Sequence, residues 1–412
     1  MKNLVTTILL SSTVLMSCAN SNSTKEDNSA AAQDSILPPV ETQKANTNYK
    51  PAFAGQTRVA GAKTKTPFEG KVIAQGLKSP WGIAVLPDGR LLITEKEGTL
   101  RIVTKDGKVS NAITGLPKVD PAGQGGLFGI TLDPKFSSNK MLYWVFTQPV
   151  KGGNLTAVAK GKLAEDEKTI QNATVIYQAA PAFNGKLHYG GRILFDKTGN
   201  LIVTTGERSE LETRPQAQDL KSALGKIIRI TTDGKPAAGN PFAGKANALP
   251  EIYSYGHRNV QGIAFHPQTG DLWSTEFGPR GGDELNLVKP GKNYGWPTIT
   301  YGIEYSGKEI GNPPIQQKNG LEQPVYYWDP VLSPSGIAFY TGKGIPEWSN
   351  NLFIAGLSST HIARLVLKNN KVVGEERLLA REGQRFRDVV QGKDDALYAI
   401  TDAGRLYRIA KK

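Results

Sequence analysis

Short apolar runs alternate with tight polar turns along most of the chain, in a phrase that returns six times. Each phrase has a small residue, an apolar run, a turn and a second apolar run, as in Trp81–Ala84, Pro87–Gly89 and Leu91–Glu95. Two β-rich runs around a tight turn predict a hairpin, and one hairpin cannot bury both of its faces alone. The first apolar runs of the six phrases begin at Trp81, Gly129, Gly191, Gly262, Gly336 and Asp388.

These phrases recur at intervals of roughly 50–70 residues. Repeats of this length that are all β and rich in Gly indicate small antiparallel sheets stacked radially around an axis. We therefore predict an all-β fold, a six-bladed β-propeller over residues 67–412. Because a propeller is closed by its two ends, Val72–Ile73 and Leu406–Ile409 are candidates to share the closing blade. Loops from every blade would then surround one mouth, where distant residues can assemble a site.

The first 66 residues have a different pattern. A short basic start is followed by an apolar run from Leu4 to Met16, which is too short to span a bilayer. The sequence Leu15–Cys18 matches a lipoprotein cleavage box, so we predict a lipoprotein-type signal peptide over residues 1–17 and a lipid on Cys18. A plain signal peptide with a chance cysteine is the alternative. Residues 18–66 are polar without apolar periodicity and are predicted to form a disordered tether.

Composition adds two constraints. Cys18 is the only cysteine, so no intrachain disulfide is possible, and an exported protein without another thiol fits the periplasm or cell envelope. The formal net charge of +13 suggests an anionic partner. The predicted export and the lack of a Lys/Arg-rich helix or groove-reading motif argue against nucleic acid. Any membrane attachment is expected only through the lipid on Cys18.

Polar side chains directly precede the first apolar run of several phrases. His188, for example, stands just before the run that begins at Gly191. Because the repeat register places such positions at the same end of each blade, we expect them to face one opening. A His that can act as a base, among three Arg and two amides, suits an anionic cofactor and a hydroxylated substrate. The residues in this register are Gln124, His188, Arg258, Asn259, Arg385 and Arg387.

A Gly- and Pro-rich loop follows the second run of the fourth phrase, from Gly278 to Glu284. Such density of Gly and Pro exposes backbone carbonyls, and Asp283 with Glu284 adds carboxylate oxygens. Hard oxygen ligands of this kind are those that Ca²⁺ prefers. Taken alone, a loop of this composition is more often structural than metal-binding.

Several short motifs follow one another in a fixed order across five phrases. They are Gln-Gly-Gly-Leu at 124, His188 before Gly-Gly-Arg, Gly-His-Arg-Asn at 256, Glu-Phe-Gly-Pro at 276, Gly-Gly-Asp-Glu-Leu-Asn at 281, Asn-Tyr-Gly-Trp-Pro at 293, Ser-Pro-Ser-Gly at 333 and Arg-Phe-Arg-Asp at 385. Any one motif would be weak, but their order argues against a chance match. Together they resemble the motifs of the soluble sugar dehydrogenases that depend on pyrroloquinoline quinone (PQQ), the glucose/sorbosone dehydrogenase family, and the resemblance covers about residues 67–412.

The resemblance implies an oxidation of an aldose sugar at C1 to the lactone, with hydride transfer to PQQ. His188 matches the family's base, and Arg258 takes part beside it. The reduced PQQ would later be reoxidised by an electron carrier. The three carboxylates of PQQ suit planar, bidentate arginines. The residues that match the family's cofactor contacts are Gln124, Arg258, Asn259, Arg385 and Arg387.

Calcium is implied in the same way. The carbonyls of Gly278 and Pro279 match ligands of a Ca²⁺ that bridges protein and quinone and acts there as a Lewis acid. Glu284, and Tyr294 through its carbonyl, resemble ligands of a second, structural Ca²⁺.

The chain also departs from the family pattern. Glucose dehydrogenases of this kind have an Asp just before the catalytic His, where this chain has Leu187, so support of the base must come from elsewhere. They also have a Lys near the position of Ser358–Ser359, and its loss here should weaken PQQ binding unless another residue, Lys186 or Arg280, compensates. These differences bear on substrate identity more than on the type of reaction.

Two other functions are alternatives for a six-bladed propeller of this sequence. A metal-dependent lactonase of the regucalcin type, also six-bladed, would need a Glu, two Asn and an Asp on one axial cation, where these loops offer Arg and His. A non-catalytic propeller, tethered in the envelope as a binding module, would be consistent with the missing Lys. Titration with PQQ and Ca²⁺, read by aldose oxidation, separates the three.

Overall fold

Residues 37–412 are described by a computed structural model, and they form one compact unit. The predicted signal peptide, the lipid site at Cys18 and the first part of the predicted tether lie outside the described residues. Within residues 37–412, no helix is long and apolar enough to cross a membrane.

The described strands form six antiparallel sheets, which are the blades of a six-bladed β-propeller. In five blades the strands are neighbours in the sheet in the order in which they follow one another along the chain. The strands of the first three blades and the strand that precedes them are β1 (Phe68–Ala74), β2 (Pro80–Val85), β3 (Leu91–Glu95), β4 (Thr99–Val103), β5 (Leu127–Leu132), β6 (Met141–Val150), β7 (Gly153–Leu163), β8 (Ile170–Gln178), β9 (Ile193–Phe195), β10 (Leu201–Thr204), β11 (Lys226–Ile230) and β12 (Ile252–Tyr255).

The second half of the chain continues the pattern, with a first blade strand that always carries the predicted first apolar run. The helices within residues 37–412 are short: α1 (Phe136–Asn139) and three 3₁₀ turns (Arg214–Ala217, Pro346–Trp348, Ala380–Glu382). The remaining strands are β13 (Val260–Phe265), β14 (Leu272–Glu276), β15 (Asp283–Val288), β16 (Tyr326–Trp328), β17 (Pro334–Phe339), β18 (Leu352–Gly356), β19 (Ile362–Lys368), β20 (Lys371–Leu378), β21 (Phe386–Gln391), β22 (Leu397–Thr401) and β23 (Leu406–Lys411).

The ring closes as the sequence predicts. Strand β1 pairs antiparallel with β23, so the last blade has the order β1-β23-β22-β21 and Val72 lies opposite Tyr407. The first strands of neighbouring blades, β2, β5, β9, β13, β17 and β21, contact one another in ring order. These strands therefore surround the propeller axis.

The core lies between blades rather than at a single centre. Six apolar clusters of the described chain are each shared by two adjacent blades. Because successive side chains of a strand point to opposite faces, one strand supplies two clusters. In β3, Leu91 and Ile93 pack in the cluster between the last and first blades, whereas Leu92 packs in the cluster between the first and second.

The expectation of a disordered tether is wrong for residues 37–66, which lie along the fourth and fifth blades. Asp329 accepts hydrogen bonds from the backbone N–H (2.8 Å) and side-chain amide (3.0 Å) of Asn46. Gln56 donates to the carbonyl of Pro324 at 2.9 Å, and Thr64 donates to Glu376 at 2.6 Å. Hydrogen bonds hold much of this segment, with Val59 packed against the apolar cluster of the fourth and fifth blades, and such bonds leave no apolar periodicity in the sequence.

Candidate active site

One end of the propeller carries a cavity of about 310 Å³. It is formed where loops precede the first strands and follow the second strands of the blades, the register that the sequence predicts for the site. Five of the six blades contribute to it: the lining residues are Ser79, Trp81, Lys96, Gly123, Gln124, Gln261, Phe277, Leu357, Arg385, Arg387 and Asp402.

His188 is buried beside this cavity, on the loop before β9. Its backbone N–H donates to the side-chain oxygen of Gln124 at 3.0 Å. Its ring nitrogen Nδ1 lies 2.5 Å from Oε1 of Glu207, which is also buried. The other ring nitrogen, Nε2, has no hydrogen-bond partner among the described residues. The imidazole is therefore held from one side and open on the other.

Electrostatics make this imidazole neutral near pH 7. Burial and the positive charge of Arg258 lower the pKa of His188 to about 4, although Glu207 opposes them. The same Glu207 oxygen accepts the backbone N–H of Ser209 at 2.9 Å, so it acts as an acceptor in this contact. A neutral ring next to a carboxylate acceptor carries its proton on Nδ1. Nε2 then has the lone pair that a general base requires.

Glu207 is the functional residue that the sequence analysis missed. It supplies the support that Leu187 cannot, and it lies just after β10. Arg208 braces the same loop by donating to the carbonyl of Leu187 at 3.0 Å. A signal was present in the sequence, because several second runs end in an acid: His257 and Glu276, also 19 residues apart, form the equivalent pair at 2.9 Å in the next blade.

Gly206 lets the two loops approach each other. A Cβ at this position would overlap the carbonyl group of His188 and crowd the side-chain oxygen of Asn259. His188 itself has a φ of 47°, in the left-handed region that costs energy for a residue with a Cβ. Strained backbone of this kind is often found where a side chain must be aimed at a ligand.

Arg258 and Asn259 lie behind the cavity wall rather than in its lining. Arg258 donates to the carbonyl of Gly278 at 2.6 Å, and its guanidinium lies 5.2 Å from the centre of the Trp296 ring. Asn259 accepts the backbone N–H of Gly190 at 3.0 Å. Nε of Arg258 and Nδ2 of Asn259 are buried without a partner among the described residues. These two donors are free to bind an anionic or carbonyl-bearing ligand.

Arg385 and Arg387 line the cavity from the last blade, as predicted. They share one carboxylate: Nε of Arg385 lies 3.0 Å, and Nε of Arg387 2.8 Å, from Asp402. Burial tends to raise the pKa of Asp402, but the two guanidinium groups lower it below its ordinary value. The pair therefore has a net positive charge that Asp402 only partly offsets.

Lys96 is a further cation that the sequence analysis did not single out. It lines the cavity and donates to the carbonyl of Gly123 at 2.8 Å. The expected substitutes for the missing Lys, Lys186 and Arg280, do not line this cavity, and Arg280 donates instead to Asn46 at 3.2 Å. Lys96, Glu207 and Asp402 each follow the second apolar run of a blade. This shared position is the feature of the sequence that could have identified Lys96.

The predicted calcium loop is braced by one of its own acids. Asp283 accepts the backbone N–H of Gly278 at 2.9 Å and those of Leu332 and Ser333 at 2.8 and 2.7 Å. Burial raises the pKa of Asp283 to about 6 despite these bonds. The carbonyl of Gly278 accepts a hydrogen bond from Arg258, whereas the carbonyl of Pro279 accepts none from residues 37–412.

Glu284 lies opposite Glu276 on the paired strands β14 and β15. Burial and the charge of Glu276 raise the pKa of Glu284 well above its ordinary value. Asn286 donates to both carboxylates, at 3.0 and 3.1 Å, while its own side-chain oxygen is buried without a partner in the described chain. The buried Glu276, which also pairs with His257, and the part-buried Glu284 stand beside an unpartnered oxygen, so the chemistry of this donor set suits a hard cation.

Tyr294 is buried close to this cluster. Its ring stacks on His257 at 4.7 Å, its hydroxyl donates to the carbonyl of Leu287 at 2.6 Å, and its own carbonyl accepts no hydrogen bond from the described residues. Residues 37–412 contain no group of three or more His, Cys, Asp or Glu side chains that could hold a metal ion. A cation here would therefore depend on backbone carbonyls as well as on Glu284.

Comparison with known proteins agrees with this geometry. A family model described as glucose/sorbosone dehydrogenase matches residues 77–408. The aldose sugar dehydrogenase YliI of Escherichia coli (strain K12) is 38% identical over 346 residues, which cover 83% of this chain and 92% of the relative. The apo-form structure of the soluble aldose sugar dehydrogenase from Escherichia coli has a TM-score of 0.80 and 37% identity, covering 84% of this chain and 100% of that one.

A PQQ-bound structure is also similar. The aldose sugar dehydrogenase from Streptomyces coelicolor in its PQQ-bound form has a TM-score of 0.69 and 34% identity, covering 84% of this chain and 99% of that one. Both the fold and the family favour a dehydrogenase over the lactonase alternative. The chain is an oxidoreductase that belongs to the glucose/sorbosone dehydrogenase family.

Proposed function

We propose that this protein oxidises an aldose sugar at C1 to the lactone, with PQQ as hydride acceptor, Ca²⁺ as activating ion and His188 as base. The observation that carries the proposal is the buried His188–Glu207 pair, 2.5 Å apart, beside a cavity lined by cations. A neutral base and a cationic surface that meet at one mouth suit proton removal next to an anionic acceptor.

The cavity offers what PQQ would need. Its three carboxylates could be bound by Arg385, Arg387 and Lys96, and the free donors of Arg258 and Asn259 add hydrogen bonds. Trp81 and Phe277, with Gln124, provide aromatic and amide surface for a planar molecule. When bound, PQQ supplies a quinone that accepts hydride from the sugar, an activity that side chains alone lack.

Calcium is proposed on the same loop. The carbonyls of Gly278 and Pro279 would hold an ion that polarises the quinone as a Lewis acid, and Arg258 would then leave the Gly278 carbonyl for the cofactor. Glu284 and the carbonyl of Tyr294 would hold a second, structural ion that neutralises the paired carboxylates. A bound cation would lower the raised pKa of Glu284.

The protein's own chemical step is proton transfer. Nε2 of His188 would take the proton from the anomeric hydroxyl, and the ring would become positively charged. Glu207, in contact with Nδ1, stabilises that charge, while nearby Arg258 opposes it and favours later release of the proton. Gln124 fixes the backbone of His188, so the ring stays aimed while its charge changes.

We propose that the chain is exported to the periplasm or envelope and lipidated at Cys18, on the basis of residues 1–18. An aldose would then be met outside the cytoplasm, and the electrons would pass to an acceptor that the chain itself does not identify. Palmitate labelling of the wild type and Cys18→Ser in the native host tests the anchor, since labelling of both or neither contradicts it.

The function is tested by reconstituting purified protein with PQQ and Ca²⁺ and following dye-coupled oxidation of several aldoses, with the lactone detected by NMR. We expect sugar-dependent turnover that needs both additions. His188→Ala should retain PQQ binding but lose about 10²–10⁴-fold in kcat. PQQ binding without turnover on any aldose would favour the binding-module alternative, and no PQQ binding would refute the cofactor.

A further inference from the structure

A second, smaller cavity lies on the propeller axis. Its volume is about 100 Å³, and all six first strands contribute to its wall. The wall is apolar except for two charged side chains, Arg192 at the start of the third blade and Asp388 in the last. They form an ion pair, with NH1 of Arg192 2.7 Å from Oδ2 of Asp388, and are 7% and 4% exposed.

The guanidinium of Arg192 makes its other contacts to residues that line the larger cavity. Its Nε donates to the carbonyl of Gln261 at 2.6 Å, and its NH2 donates to the carbonyl of Arg387 at 3.1 Å. Its plane lies 4.2 Å from the centre of the Trp81 ring. One side chain from the third blade thus contacts lining residues of the first, fourth and last blades.

Asp388 completes this arrangement. It accepts the backbone N–H of Ile83 at 3.0 Å, which is two residues from Trp81, and that of Val389 at 3.0 Å. The fifth blade makes room for it, because a Cβ on Gly336 would overlap its Oδ1. Arg192 and Asp388 together therefore join the first, third, fourth and last blades, fit against Gly336 of the fifth, and contact residues that line the larger cavity.

A buried ion pair is weak evidence for stability. Desolvation of two charges offsets most of their attraction, and a well-packed apolar pair of similar volume is often as stable. Burial lowers the pKa of Arg192 and raises that of Asp388, so both groups bear this cost. An apolar pair at this position could not donate hydrogen bonds to the carbonyls of Gln261 and Arg387, and it could not place a cation against the indole ring of Trp81.

We propose that Arg192 is a positioning residue for the cofactor cavity, which holds Trp81, Gln261 and Arg387 in register through its pair with Asp388. The proposal rests on the function proposed above. An ion pair with a purely structural role would contribute only to the stability of the fold. Loss of the Arg192 guanidinium should instead loosen the cavity wall, so that the loss in PQQ affinity exceeds what the loss in stability alone would cause.

Arg192→Met is the test variant, and Arg364→Met is its matched control. Arg364 in β19 is equally buried, 2.7 Å from Glu376, and it also bonds Asn351 at 2.6 Å, but none of these residues lines the cavity. Both variants should lower the Tm of the apo-protein by similar amounts. Only Arg192→Met should raise the PQQ dissociation constant in calorimetry, by about tenfold or more, because charge-assisted bonds are lost behind the binding residues.

Hydrogen exchange of the apo-protein provides a readout without PQQ. Arg192→Met should speed exchange in peptides covering residues 79–85 and 385–390, and Arg364→Met should not. Arg192→Lys keeps the charge but not the planar fork, so its PQQ affinity should fall between those of Met variant and wild type. If Arg192→Met does not fold, the double variant Arg192→Met/Asp388→Leu removes both charges and should show the same weakened binding.

Unchanged PQQ affinity in folded Arg192→Met, or in the double variant, would overturn the positioning role. Equal weakening by Arg364→Met would overturn it too, since the effect would then be general destabilisation. If wild-type protein fails to bind PQQ, the proposed function fails, and the exchange data decide alone: no faster exchange at residues 79–85 and 385–390 would overturn the inference.

Discussion

Replacement of Glu207 by Gln removes the carboxylate charge beside the base, His188, and leaves the shape of the side chain at position 207 nearly unchanged. In the wild type, Oε1 of Glu207 contacts Nδ1 of His188 and accepts the N–H of Ser209, and a Gln oxygen at the same place can accept both. The tautomer with a free Nε2 should therefore persist. What is lost is the stabilisation of the charged imidazole that forms as the proton is transferred.

The magnitude follows from the contact. A hydrogen bond to a charged group contributes about 1.5–3 kcal/mol and a neutral one about 0.5–1.5 kcal/mol, so the charge accounts for about 1–1.5 kcal/mol. The pair is buried, so solvent screens little of this. A loss of this size, confined to the transition state, lowers kcat by about 5- to 13-fold and leaves KM for the sugar nearly constant.

Steady-state, dye-coupled oxidation with saturating PQQ and Ca²⁺ measures the effect. Glu376→Gln is a suitable control, because it also removes a part-buried carboxylate charge, in the pair with buried Arg364, but lies outside the cavity lining. The control should stay within about twofold of wild type, in line with a site that does not touch the reaction. If Glu207→Gln matched the control in kcat, Glu207 would not act through the base.

Four further predictions concern the site. Because burial lowers the pKa of His188 to about 4, kcat/KM should rise through about pH 4 and be flat near neutrality, and an acid limb near the ordinary 6.5 would contradict this. For the same reason the free energy of unfolding should fall as pH drops from about 6.5 towards 4, since the unfolded ring binds a proton that the buried ring does not. Burial also lowers the pKa of His361 to about 4, so the slope of Tm against pH in His188→Ala should be shallower than in the wild type, and an unchanged slope would contradict the prediction. Exhaustive chelation should abolish activity and lower Tm, with Ca²⁺ restoring both better than Mg²⁺; full activity in metal-free protein would exclude the ion. Arg387→Lys should raise the PQQ dissociation constant by roughly tenfold, whereas unchanged affinity would assign Arg387 to loop bracing against Asp402.

The blades could be predicted because their signals are local. Alternating apolar residues and Gly- or Asp-containing turns fix each hairpin within about twenty residues, and six hairpins leave radial stacking as the arrangement that buries both faces. The same register placed Gln124, Arg385 and Arg387 at the cavity, since loop positions at one end of each blade meet at one mouth.

The remaining contacts depend on geometry that no local pattern contains. Glu207 contacts His188 from a loop in which Arg208 and Ser209 both have a φ of 75°. Neither residue is a glycine, so the sequence gives no indication of this left-handed conformation. In the sequence Lys96 resembles any surface lysine, and only the fold shows that it bonds the carbonyl of Gly123. Residues 37–66 look disordered because their anchors are hydrogen bonds, which leave no apolar periodicity.

The closure of the ring by β1 and β23 places the two ends of the folded body in one sheet. A chain under synthesis cannot complete its last blade until the final strand, ending at Lys411, has emerged. Pairing between the most distant parts of a sequence is slow, because the whole intervening loop must close first. Arg385, Arg387 and Asp402 of this last blade line the cavity, so the cavity wall is completed only when these two distant strands have paired.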